Sequence, residues 1–163
     1  MTKMDFINTI CRPHITVGFD LFRFYDDDKV TITQEKFLLE QVGDWRVPWY
    51  TDVNGTGSEY NLPGAVPIKI KETLKKLDDH YKSHQEHRSS IAHFTTLINK
   101  EEQLVYDPIM PVVGYDADKN YIIFDGNHRL AASYFINKPK EITVLLVTSD
   151  NMKSISHDLK YHP

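Results

Sequence analysis

Cysteine is almost missing from this chain: Cys11 is the only one in 163 residues, so no intramolecular disulfide can form. Long apolar runs are missing as well. The longest strongly apolar stretch, Ile142 to Val147, is far short of the roughly 20 residues that cross a bilayer, so no membrane helix is expected. The opening Met-Thr-Lys-Met-Asp-Phe lacks the apolar core and small-residue cleavage site of a secretory signal, which with the lone cysteine makes the cytoplasm the expected compartment. Basic charge is in deficit. With 19 Lys and Arg against 23 Asp and Glu, the formal charge is -4, so attraction to a polyphosphate backbone should be weak and any nucleic-acid site local. Neither a Gly-Lys-Ser/Thr phosphate loop nor a Gly-x-Ser-x-Gly elbow occurs.

What is present points to one globular domain over residues 1–163. A hydrophobic share of 40%, with nine Tyr, eight Phe and two Trp, can bury enough surface to offset the entropy of ordering the chain. The alternation of Val17, Phe19 and Leu21, then Val30 and Ile32, predicts a hairpin over 15–33 around Asp26-Asp27-Asp28-Lys29. Phe37, Leu38 and Val42 fall near helical spacing, so a short helix is expected from 34 to 42. Gly55, Gly57, Gly64, Pro48 and Pro63 make 44–66 a loop-rich insertion, either a lid carrying Trp45, Trp49, Tyr50 and Tyr60 or a loop those aromatics pin to the core. Ile70, Leu74, Leu77 and Tyr81 predict a helix over 67–83, and Ile91, Phe94, Leu97 and Ile98 another over 88–99 packed beside it. After these the period changes. A second hairpin spans 111–124, then come a helix over 127–136 stopped by Asn137-Lys138-Pro139, a buried strand over 142–147, and a last helix with Met152, Ile155 and Leu159 on one side, capped by Ser149-Asp150.

Asp125-Gly126-Asn127-His128-Arg129 joins the second hairpin to the helix that follows. At such a junction the N–H groups of residues 126 to 130, from Gly126 to Leu130, gather at an open helix end without intrahelical acceptors, and the helix dipole adds positive potential. Together they form an anion site. Gly126 permits a tight turn and close approach, Arg129 offers a planar fork of donors, and His128 can donate a hydrogen bond or move a proton. Asp125 can act as a general base or as a ligand for Mg²⁺ that accompanies phosphates. The bland alternative is an ordinary Asp-Gly turn, with Asn127 capping the helix and His128 and Arg129 in solvent. Against it, a cation in a first helical turn opposes the dipole by about 0.3–1 kcal/mol unless an anion lies nearby.

From Asp107-Pro108-Ile109-Met110-Pro111-Val112 through Tyr121-Ile122-Ile123-Phe124-Asp125-Gly126-Asn127-His128-Arg129-Leu130-Ala131-Ala132 to Ile142-Thr143-Val144-Leu145, the chain resembles the ParB/sulfiredoxin-like superfamily. The likeness covers about a third of the chain, and more weakly includes the helix over 89–99 before it. It implies an α+β fold, a small mixed sheet with flanking helices, whose loop binds the phosphates of ATP or CTP with Mg²⁺. Members of that superfamily include CTPases, free-serine kinases, sulfiredoxins and nucleases. A sulfiredoxin carries Cys where this chain has Asn127, and partition proteins carry paired Arg and a following helix-turn-helix, whereas here Arg129 stands alone and the chain ends soon after the closing strand. The kinase-type members are the better match. Asp125 corresponds to the residue taken to activate a substrate hydroxyl, and Glu35 or Glu40 is the candidate for an assisting carboxylate.

An ATP- or CTP-dependent phosphotransferase or hydrolase acting on a small substrate is therefore the leading expectation. A nucleic-acid-directed nuclease or mobile-element protein, and a non-catalytic nucleotide-sensing or inhibitory module, remain as alternatives. Other constellations carry less. His80, His84 and His87 at i, i+4 and i+7 read as a solvated helix end rather than a metal site. Asp116-Ala117-Asp118-Lys119-Asn120 lacks the Gly and Glu that a calcium loop requires, and Asp26-Asp27-Asp28 reads as a solvated turn.

Overall fold

The computed structural model describes residues 1–11, 15, 19–52, 54–55, 57–58, 64–100, 111–115 and 120–156. Near the N-terminus lie helix α1 (Lys3–Phe6), a π-helical turn (Ile7–Cys11) and α2 (Leu21–Asp26). Strand β1 (Thr31–Leu38) runs into the short α3 (Leu39–Val42), followed by β2 (Arg46–Thr51), β3 (Gly57–Ser58) and β4 (Val66–Lys69). A 3-10 turn (Ile70–Glu72) leads through α4 (Thr73–Lys76) to the long α5 (Lys82–Asn99). The C-terminal part is β5 (Val112–Tyr115), β6 (Tyr121–Asp125), α6 (Asn127–Ile136), β7 (Glu141–Thr148) and α7 (Met152–Ile155).

The described strands form one mixed sheet in the order β1-β7-β5-β6-β2-β3, with β4 also on β2. β5 and β7 run parallel, with Val112 opposite Leu145, and β2 runs parallel to β6, with Arg46 opposite Ile122. The remaining pairs are antiparallel. Both faces of the sheet are covered, and the period-2 alternation of each central strand shows it. Val113, Ile123 and Val144 join a core that includes Ile91 of α5 and Leu130, Ala131 and Ala132 of α6. Their neighbours Val112, Ile122 and Leu145 join a second core with Phe6, Phe24, Met152 and Ile155 from α1, α2 and α7. The class is thus α+β, a mixed sheet between helices.

The hairpin over 111–124, the helix over 127–136 and the strand over 142–147 stand where the residue pattern puts them. Elsewhere the pattern misleads. Of the hairpin expected over 15–33 only the second strand appears, as the start of β1 at residues 31–33; residues 21–26 are helical and Phe19 bridges Ser156, while 16–18 lie outside the described residues. The expected helix over 34–42 is β1 up to Leu38 and helical only over Leu39–Val42. Within the expected loop, Arg46–Thr51 is a strand inside the sheet, and Trp45, Trp49 and Tyr50 are buried in it or beside it; Tyr60 lies outside the described residues. The expected helix over 67–83 breaks into β4, the 3-10 turn and α4, and its successor begins at Lys82 rather than 88. α7 is a single turn whose N-cap is Asn151, and Ser149 serves elsewhere, accepting from the Asn151 N–H at 2.9 Å. Leu159 and the turn at 116–119 lie outside the described residues.

Candidate functional site

Gly126 sits at the N-cap of α6 with φ 86° and ψ 12°, a left-handed conformation that turns the chain from β6 directly into the helix. A side chain has no room there, since a Cβ on Gly126 would stand 2.9 Å from Cβ of Pro111. Its carbonyl accepts the first helical bond, from the Leu130 N–H at 2.9 Å. Gly126 has no side chain with which to cap this end, so among the described residues the N–H groups of the first turn are left for another acceptor. Asn127 is the first helical residue rather than the cap, which removes that part of the ordinary-turn alternative. Its Oδ1 is buried and has no partner among the described residues.

This helix end opens on a cleft of about 480 Å³. Asp125, Gly126, Asn127, His128 and Arg129 form one wall, Pro48 and Trp49 of β2 another, and His87 and Phe94 of α5 a third. Arg129 lies 3.5 Å from Asp125, a looser approach than a charge-assisted hydrogen bond at its usual ~2.7–2.9 Å. The anion that a first-turn cation needs is thus supplied by the preceding strand.

His128 is held from outside its own segment. Its Nε2 is 3.0 Å from Nδ1 of His87, and Trp49 stacks on both rings, 4.3 Å from His87 and 5.0 Å from His128. Burial pushes the His87 imidazole down to about 4, with the neighbouring His128 and His84 adding to the effect. Burial also lowers His128, partly opposed by the Asp125 carboxylate. At neutral pH both rings are therefore uncharged, and a single proton lies between them. α5 is fixed in register by the residue after His87: Arg88 Nε donates to the Leu77 carbonyl at 3.2 Å and pairs with Asp79 at 3.0 Å.

The histidine triplet does not behave as a solvated helix end. His80 precedes α5 and is exposed, bound to Asp78 at 2.7 Å, whereas His84 is buried and accepts from the Asp78 N–H at 2.9 Å. His87 lines the cleft. A signal for it existed: His87, Ile91, Phe94 and Ile98 recur at four, three and four residues, so His87 belongs to the inward stripe of a helix that begins earlier than expected.

Of the residues singled out in the sequence, the structure brings Asp125 to Arg129 together on the cleft. Glu35 is an exposed residue of β1 opposite Val144, and Glu40 an exposed residue of α3; neither lines the cleft. Asp125 is its one carboxylate among the described residues, and no group of three or more His, Cys, Asp or Glu gathers among them to cage a metal. No described helix is long and apolar enough to cross a membrane.

Compared with protein-family models, with curated proteins and with solved structures, the chain matches none.

Proposed function

We propose that this protein binds a nucleotide, ATP or CTP, by its phosphates at the first turn of α6 and acts as a phosphotransferase or hydrolase on a small substrate. One observation carries the proposal: a helix end entered through a left-handed glycine, with no side chain of its own to cap it, opens on a cleft of about 480 Å³ beside a guanidinium and an imidazole. That volume falls within the range of small-molecule sites. The unpartnered Oδ1 of Asn127 leaves one more polar group at the same place for a ligand or water to satisfy. The proposal extends to the fold, whose β6-α6-β7 order suits a ParB/sulfiredoxin-like architecture.

In this scheme the N–H groups of the first turn donate to phosphate oxygens, and Arg129 turns its donors from Asp125 towards the charge that develops in transfer. His128 donates a hydrogen bond to a phosphate oxygen. Asp125 takes the proton of the attacking hydroxyl or water. A single carboxylate suits Mg²⁺ that arrives with its phosphates, because that ion is commonly held by one or two carboxylates and by the substrate itself. Asp125 would hold it in place of serving as the base, and the ion would supply charge neutralisation at the phosphates. Glu35 and Glu40, which do not line the cleft, receive no role.

Calorimetry with ATP, ADP and CTP, with and without Mg²⁺, tests the grip. Binding of at least one is expected, and Arg129→Ala should weaken it roughly tenfold or more, the worth of a charge-assisted hydrogen bond. Absence of binding for all three at millimolar concentration would falsify the proposal. Phosphorus NMR of the bound nucleotide then separates turnover from mere sensing, since only an enzyme yields product.

A further inference from the structure

Resting on the phosphate grip proposed above, we infer that His87 is a positioning residue of the site: its Nδ1–H donates to Nε2 of His128 and so holds the proton of His128 on Nδ1, the nitrogen offered to an anionic oxygen. The geometry behind this is a 3.0 Å contact between two ring nitrogens on different elements, α5 and α6, within the cleft itself. Two neutral imidazoles in such a contact share one proton, and there are only two ways to place it. If His128 donates from Nε2, its Nδ1 carries a bare lone pair, which repels an oxyanion. If His87 donates from Nδ1, the Nδ1 of His128 carries a proton, which attracts one. An anion at the first turn of α6 therefore selects the second arrangement, and His87 makes it available before the anion arrives.

Packing keeps the arrangement in place. Trp49 lies nearly parallel to both rings, at 20° to His87 and 30° to His128, so tilting either imidazole out of its plane costs its stacking contact. Among the described residues, the charged and titratable groups around the pair are His84 from α5, and Asp125 and Arg129 from the β6–α6 junction. With burial holding both rings neutral, a shared proton rather than a shared charge links them.

Two substitutions separate this role from packing. His87→Phe keeps a ring to stack on Trp49 and removes the donor; His87→Asn places an amide near the position of Nδ1 and removes the ring. Nitrogen-15 spectra of the full chain at pH 7.5 report which nitrogen of His128 is protonated, without any ligand. The expected result is an unprotonated Nε2 on His128 in the parent and in His87→Asn, and a shift to the Nε2–H form, the one free imidazole side chains favour, in His87→Phe. Inorganic triphosphate with Mg²⁺ is the binding probe. His87→Phe should weaken it by roughly threefold to tenfold, the worth of one hydrogen bond, while His87→Asn binds as the parent does. A protonated Nε2 on His128 in the parent, an unchanged tautomer in His87→Phe, or an affinity loss confined to His87→Asn overturns the inference. If the parent binds no triphosphate while the tautomer still switches, the phosphate grip falls and the His87–His128 pairing stands.

Discussion

At φ 86° Gly126 occupies backbone space that costs a side-chain-bearing residue about 1–2 kcal/mol, and Pro111 closes off the direction a Cβ would take. Alanine there meets both penalties. Asparagine meets mainly the second, because its side chain tolerates the left-handed region. Gly126→Ala should therefore lose about 1–3 kcal/mol in denaturant unfolding and Gly126→Asn less, with both losing ligand affinity as the first turn of α6 shifts. An alanine variant as stable as the parent would mean that the turn relaxes freely, and the helix end could not then be a preorganised grip. Asp125, Asn127, His128 and Arg129 all hang from this one conformation, which explains why the five-residue stretch was readable before the fold: a strand, a glycine and a helix in direct succession leave few ways to arrange the backbone.

Elements were legible where one side of them is buried and their ends carry stop signals. The second hairpin, α6 and β7 alternate or repeat cleanly, and α6 ends at Asn137 with φ 56°, the left-handed cap its sequence suggests. β1 was legible only at its start, where Val30 and Ile32 suggest a strand as far as Thr33. It is an edge strand paired with β7, and most of its side chains face solvent, so no period of two continues through residues 34–38 and the apolar pair Phe37-Leu38 mimics a helix face. β2 was hidden by Pro48, which looks like a breaker but sits where the pairing with β4 slips between Arg46 and Tyr50, so its missing N–H disturbs no regular ladder. Losing β2 from the reading also lost a wall of the site, since Pro48 and Trp49 line the cleft. Starting α5 too late lost another, the one that bears His87. Close packing between neighbouring strands can be tested at Gly114 of β5, where a Cβ would stand 2.4 Å from Cζ of Phe124. Phe124 is buried, makes an edge contact with Phe19 at 5.2 Å and lines the cleft, so it has little freedom to move aside. Gly114→Ala should cost about 1–3 kcal/mol of unfolding free energy by overpacking and should disturb the proposed nucleotide binding as well. Unchanged stability would show that the Phe124 ring swings clear at no cost.

Over the whole molecule, histidine burial should leave its mark on the pH dependence of stability. His87, His84 and His128 all have folded pKa values below the ordinary 6.5, chiefly through burial, and His87 lies at about 4. Above pH 6.5 these rings are neutral folded or unfolded and contribute nothing. As the pH falls below 6.5 the unfolded chain takes up protons that the fold refuses, so stability declines through the window from 6.5 to about 4 and levels off beneath it for His87. His80 acts in the opposite sense: Asp78 raises it, so its contribution is present below 6.5 and is lost as the pH rises through its folded value, but it is exposed and weak. The carboxylates held low, among them Asp27, Asp44 and Glu72, contribute stability that is lost only as the pH drops below the ordinary 3.8 to 4.5, outside a comparison stopped at pH 5. Urea unfolding at pH 7.5 and pH 5 therefore reads chiefly the three lowered imidazoles, offset a little by His80. The parent should lose about 1 kcal/mol between the two from His87, the partly exposed ring contributing less than its full shift, and His87→Phe should show a clearly flatter dependence. Equal stability of the parent at both values would mean that His87 protonates freely within the fold, and a ring open enough to do so could not keep a single proton between itself and His128.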